Sequence, residues 1–234
     1  MPLIDEIYEM YRSVALGSSQ ACNACKPEWP LHNLDRIGPV PIYHVGKEFN
    51  NGILFVGSVG VGWENVGRDL DYSNASPTQL DGIKTIINES NDYLFFDDHM
   101  GRGIYSFVHT FCEAYFKDAA KGFDRIAISN LLRCNHGGTE GKYPASILAQ
   151  CANVKNLFFP TFREIGILKP KVIIDMSMLK HRYLLESYDY SQFTPRPLLL
   201  QTPYHPSKPG VTSAAHHEWC EPLINKINAD NIIV

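Results

Sequence analysis

Short β-branched and apolar runs alternate along the chain with longer stretches of helical periodicity. The apolar runs are 53–57 (ILFVG), 125–129 (RIAIS), 171–175 (KVIID) and 197–201 (PLLLQ), and each predicts a strand. Helical periods cover 78–88, 103–118, 146–166, 176–187 and 213–228. At the amino end Leu3, Ile4, Ile7, Met10, Tyr11 and Val14 fall on one side of a further amphipathic helix. Strands apolar on both faces and separated by helices predict a short central parallel sheet with helices on either side, a three-layer α/β/α fold. Ligands in such folds sit outside the carboxyl ends of the strands. The loops of interest are therefore SVGVGWEN, NLLRCNHGG, MSMLKHR and TPYHPSKPG.

Composition narrows this picture. The 234 residues are 44% hydrophobic and 12% aromatic, enough for one well-packed core. A single domain over 1–234 is expected, with a helix and cysteine segment in 1–50 and the sheet and its helices in 51–234. The net charge of −4 gives no global attraction to nucleic acid, although a local patch suffices for backbone contact. No apolar run reaches the roughly 18 residues of a membrane span. The first residues carry acids where an export signal carries positive charge, so a cytoplasmic, reducing compartment is expected. The six cysteines then read as ligands or core residues rather than disulfides.

Cys22 and Cys25 form a C-x2-C turn, and Cys134 and Cys151 follow, seventeen positions apart. A C-x2-C loop with two further thiolates completes a four-sulfur shell for zinc or an iron–sulfur cluster. Equally, Cys134 and Cys151 fit as small core residues. Cys112 and Cys220 fall on apolar helix faces and are expected in the core.

With these cysteines set beside the strand-end loops, the chain resembles the iron–sulfur uracil-DNA glycosylases, family 4 of that superfamily. The resemblance runs from about residue 22 to 210 through CNAC, ILFVGSVG, ISNLLRC, the segment from QCANV to VIIDM, and LLLQTPYHPS, in the family's order. It implies a uracil-DNA glycosylase-like fold and a [4Fe–4S] cluster, structural rather than redox-active, on Cys22, Cys25, Cys134 and Cys151. It further implies a monomeric enzyme that excises uracil or another deaminated base from DNA, single-stranded or uracil-containing. Such an enzyme draws the nucleotide out of the stack before it hydrolyses the glycosidic bond.

In that setting Asn130 offers the donor and acceptor that a uracil edge needs, and its alternative is a turn bonding its own backbone. His205 would donate to the departing base, and Ser207 would grip a phosphate, with Lys208 adding charge. Gly57 and Gly60 would let the first loop approach sugar or base.

Two departures stand against the pattern. The family has Gly-Glu-x-Pro-Gly in the first loop, with the Glu acting on water, whereas Ser58 follows Gly57 here. A serine is no general base at neutral pH without a proton acceptor beside it. Glu64, Asp69 and Asp71 are the nearby acids, and GWENVGRDLD distantly resembles a sister family whose first loop also lacks the carboxylate. Glu64 and Asp69 are the candidate substitutes. The second departure puts His99 where the family stacks a Phe on the flipped base. These changes imply altered substrate choice, weakened catalysis, or a glycosylase-fold protein that only binds nucleic acid or a modified base. Dinucleotide binding by the opening loop is disfavoured, because GSVGVG lacks the G-x-G-x-x-G spacing.

Overall fold

A computed structural model describes residues 2–32, 36, 38–59, 70–98, 103–134, 147, 160–177, 182–207 and 210–234. Its elements are α1 (Leu3–Ser13), α2 (Gln20–Cys25), α3 (Glu28–Leu31), β1 (His44–Val45), β2 (Ile53–Val59), α4 (Pro77–Asp92), α5 (Gly103–Phe116) and α6 (Ala119–Arg125). There follow β3 (Ile126–Leu132), α7 (Pro160–Leu168), β4 (Val172–Asp175), α8 (Arg182–Glu186), β5 (Leu198–Gln201) and α9 (Ser213–Ala229). A π-helical turn, Tyr93–Asp97, continues α4.

The strands form one sheet in the order β1-β3-β2-β4-β5. β2, β4 and β5 run parallel, with Val56, Asp175 and Gln201 level across the sheet, and β1 is antiparallel to β3. The architecture is α/β, with helices flanking a mostly parallel sheet as in a three-layer α/β/α fold. Ile53 to Val56 and Val172 to Ile174 are fully buried, which explains why these strands read as unbroken apolar runs.

The chain divides into two compact units. The first comprises Met1–Ile42, Val59–Ile87 and Asn130–Ile167, and the second comprises Tyr43–Ser58, Asn88–Ser129 and Leu168–Val234. In the second, Phe55 of β2 meets Phe111 and Phe107 of α5 edge-on, at centroid distances of 5.3 and 6.2 Å. α5 also packs against α6 and α9, and α9 against β5. Cys112 and Cys220 are buried in this core, as their helix faces predicted. In the first unit α1 buries Ile7, Tyr8 and Tyr11. Tyr8, Tyr11 and Tyr72 cluster with centroids 5.3 to 6.1 Å apart.

Several boundaries differ from the sequence reading. The C-x2-C segment is a short helix rather than a turn, because the Ser19 side chain accepts the Cys22 N–H and caps α2. β2 and β3 run past Gly57 and Ser129, so Ser58 and Asn130 lie inside strands rather than in the loops after them. Sheet pairing overrides the low strand propensity of Gly and Asn. Met176 and Ser177 are not helical: Asp175 Oδ1 accepts the Ser177 N–H at 2.8 Å, which turns the chain at the end of β4. Helix then covers Arg182–Glu186 within the expected 176–187. Of the expected helix 146–166, Ile147 and Pro160 onward are helical, and 146 and 148–159 lie outside the described residues.

Candidate functional site

Two sets of candidate residues fall in different units. In the second unit, the carboxyl ends of β2, β4 and β5 carry a buried polar row of Ser58, Asp175, Ser177 and Thr202. Gly57 lies beside Ser58 and is also buried. Thr202 starts the His205 loop firmly, its N–H on the Asp175 carbonyl at 3.0 Å and its hydroxyl donating to the Tyr204 carbonyl at 2.7 Å.

The loop fixes the state of His205. The Ser207 backbone N–H donates to His205 Nδ1 at 3.1 Å, so Nδ1 is an acceptor and the ring proton sits on Nε2. Burial lowers the His205 pKa to about 4, which leaves the ring neutral at physiological pH. His205 therefore presents a neutral Nε2–H donor. Pro206 behind it is buried, while Ser207 is exposed. Lys208 and Pro209 lie outside the described residues.

In the first unit, Asn130 is buried in β3, and its backbone carbonyl accepts the Thr161 hydroxyl at 2.7 Å. Behind it lies a charged network. Arg133 donates to Glu164 Oε2 at 2.6 Å and to Thr161 Oγ1 at 3.0 Å, and the Tyr11 hydroxyl donates to Glu164 Oε1. Tyr11 in turn accepts the Ile42 N–H at 2.7 Å. Burial, and the Glu164 carboxylate beside it, push the Tyr11 pKa well up, so the hydroxyl keeps its proton.

Cys22, Cys25 and Cys134 line one cavity of this unit together with Trp29, Arg36 and Arg133. Two sulfurs already accept hydrogen bonds: Trp29 Nε1–H reaches Cys25 Sγ at 3.2 Å, and the Gly17 N–H reaches Cys22 Sγ at 3.3 Å. Burial pushes the Cys25 thiol up, while the Trp29 bond and the Arg36 charge pull it down. Soft thiols, N–H donors and neighbouring guanidinium groups suit an anionic four-sulfur centre chemically. Among the described residues, however, no three His, Cys, Asp or Glu side chains converge closely enough to hold a metal ion. Cys151, the fourth ligand expected, lies outside the described residues.

Gly60, Glu64, Asp69 and His99 also lie outside the described residues, and the carboxyl group that shares the buried row with Ser58 is that of Asp175. Asp71 is described and has a structural task. Its carboxylate takes bonds from Ser18, Ser73 and Asn74, which hold its pKa below the ordinary carboxylate value. Sequence reasoning passed over Asp175, whose only signal is an acid closing an apolar strand, and His216 of α9, which carries no local signal at all.

No protein-family model matches the chain, and no curated protein matches it in sequence. No helix among the described residues is long and apolar enough to cross a membrane.

Proposed function

We propose that the protein is a DNA glycosylase that hydrolyses the N-glycosidic bond of uracil or another deaminated base. One observation carries the reading: a His-Pro-Ser loop after the last parallel strand holds His205 neutral, with its proton on Nε2. Charge on a departing uracil develops on a carbonyl oxygen, and a fixed neutral N–H donor stabilises it without giving up its proton. The bond from C1′ to the base nitrogen breaks with its electron pair going to the base, a water oxygen bonds C1′, and the proton that water loses ends on the departed base anion. Cys22, Cys25, Cys134 and Cys151 would hold a [4Fe–4S] cluster, with zinc as the alternative. That centre would cross-link the segment around α2 to the chain after β3 and take no part in the chemistry.

A specific observation supports a second reading. The first-loop position that needs a carboxylate is Ser58, buried in β2, and this favours a module that binds a flipped or modified base without hydrolysing it.

A panel of single-stranded and mismatched oligonucleotides containing uracil, hypoxanthine or xanthine separates the two. The glycosylase reading expects abasic sites from at least one substrate, with His205→Ala lowering the rate by about 100-fold or more. No abasic product on any substrate, with binding retained, leaves the second reading standing. Separate substitution of Glu64 and Asp69 identifies which acid, if either, serves the water. A brown protein with a broad visible band after anaerobic purification supports the cluster, and a colourless one with stoichiometric zinc excludes it.

A further inference from the structure

The His205 loop is gripped from behind by two helices of its own unit. Pro206 is buried, and its carbonyl lies 3.3 Å from Nε2 of His216 in α9. A carbonyl can only accept, so His216 carries its proton on Nε2. Its Nδ1 lies 3.1 Å from the Ser106 hydroxyl of α5 and accepts from it. His216 is 3% exposed, packed edge-on against Phe107 at 5.8 Å and Trp219 at 5.8 Å, so the ring has no room to swing away. Gly103, the first residue of α5, supplies the second hold. A Cβ there would stand 2.6 Å from Ser207 Cα and 2.7 Å from the Pro206 carbonyl oxygen, closer than any side-chain carbon approaches backbone.

We propose that His216 is a positioning residue for His205: bridging Ser106 to the Pro206 carbonyl, it locks the loop that orients the His205 donor. The inference rests on the glycosylase reading for its consequence in catalysis, but its structural content does not. The Ser207 N–H that fixes the His205 tautomer belongs to the peptide unit formed by the Pro206 carbonyl. Holding that carbonyl therefore holds the N–H two atoms away, and with it the His205 ring. Burial, together with the neighbouring His217, lowers the His216 pKa, which agrees with a neutral ring that donates at one nitrogen and accepts at the other.

The test follows the His205 ring by nuclear magnetic resonance in the full chain with isotope-labelled histidine, alongside single-turnover excision. In the wild type His205 should titrate near 4 with Nδ1 bare. His216→Phe fills the same space without either hydrogen bond. His205 should then titrate closer to its ordinary value of 6.5 and lose its single tautomer. On an oligonucleotide substrate, kcat should fall roughly tenfold or more with KM little changed. His216→Gln, whose amide can still donate to the Pro206 carbonyl, should restore both readouts. Ser106→Ala should move the His205 signals the same way by less, and it decides the matter if His216→Phe does not fold. Unchanged His205 titration and tautomer in the folded variants would overturn the proposal. A wild type that excises no base would sink the glycosylase reading alone, since the resonance data still decide what His216 does.

Discussion

Two buried polar networks, one in each compact unit, are built in opposite ways. In the first unit's network the ends are charged: Glu164 and Arg133 are 0% and 3% exposed and pair at 2.6 Å, with Tyr11 and Thr161 completing the shell. In the second, the buried chain from Ser106 through His216 to the Pro206 carbonyl is made of neutral groups, and His205 and His44 are held neutral by burial. A buried ion pair costs nearly as much to desolvate as it returns, but breaking one half of it is expensive. A neutral relay costs less to bury and fixes direction rather than charge. The first unit therefore carries a structural fastening beside its thiol cavity, and the second an orienting device beneath a histidine.

The sharpest way to break this contrast is Glu164→Ala, which leaves the Arg133 guanidinium buried without its carboxylate. We expect a loss of about 3–5 kcal/mol by urea unfolding. Recovery in a Glu164→Leu, Arg133→Met double variant would show that the pair fastens rather than drives folding. A cost below about 1 kcal/mol for the single variant would erase the distinction between the units.

Gly103→Ala should come next. The added methyl must displace the Pro206–Ser207 backbone, costing about 1–3 kcal/mol, and it should disturb His205 in the same direction as His216→Phe. Full stability with unshifted His205 resonances would mean that the loop is not pressed against α5.

Acid gives a third comparison. His205 and His44 are depressed from 6.5 to about 4. Between those values the unfolded chain binds protons that the folded chain refuses, so the stability they contribute is full above about 6.5 and is lost as the pH falls toward 4. His205, His44 and His216 all belong to the second unit. Amide protection factors, corrected for the slower intrinsic exchange at low pH, should therefore fall there first, and an earlier fall in the first unit would contradict the assignment. A last variant, Trp29→Phe, removes the N–H bond to Cys25 Sγ, about 1 kcal/mol, on top of the cavity left by shrinking a fully buried ring, so it is read by its chemistry rather than by its stability. Its signature is a Cys25 thiol shifted further upward in a titration of the metal-free protein.

Much of this fold is legible in the sequence. The four apolar runs became β2 to β5: β3 and β4 are buried along their whole length and so need no polar alternation, while β5, at the sheet edge, is only half-buried. The long amphipathic periods became α1, α4, α5 and α9. Other elements were invisible. β1 is a two-residue pairing of His44 and Val45 with Ile128 and Ala127, meaningful only once β3 is there to receive it. α2, α3 and α6 are too short for a period to stand out, and α2 depends on a single cap at Ser19.

The candidate site divides along the same line. His205 could be singled out from its His-Pro-Ser neighbours, and the cysteines from their spacing. Which nitrogen of His205 holds the proton could not, because that follows from where the Ser207 N–H points. Glu164 and Tyr11 lie 153 positions apart, and Ser106 and His216 lie 110 apart. The sequence by itself determined the α/β class and the main strands and helices. These follow from local periodicity and residue type. Only the tertiary structure decided how the buried polar groups are partnered, because those partners come from distant parts of the chain or, for His205 and Ser207, from a loop conformation that packing against α5 and α9 sets.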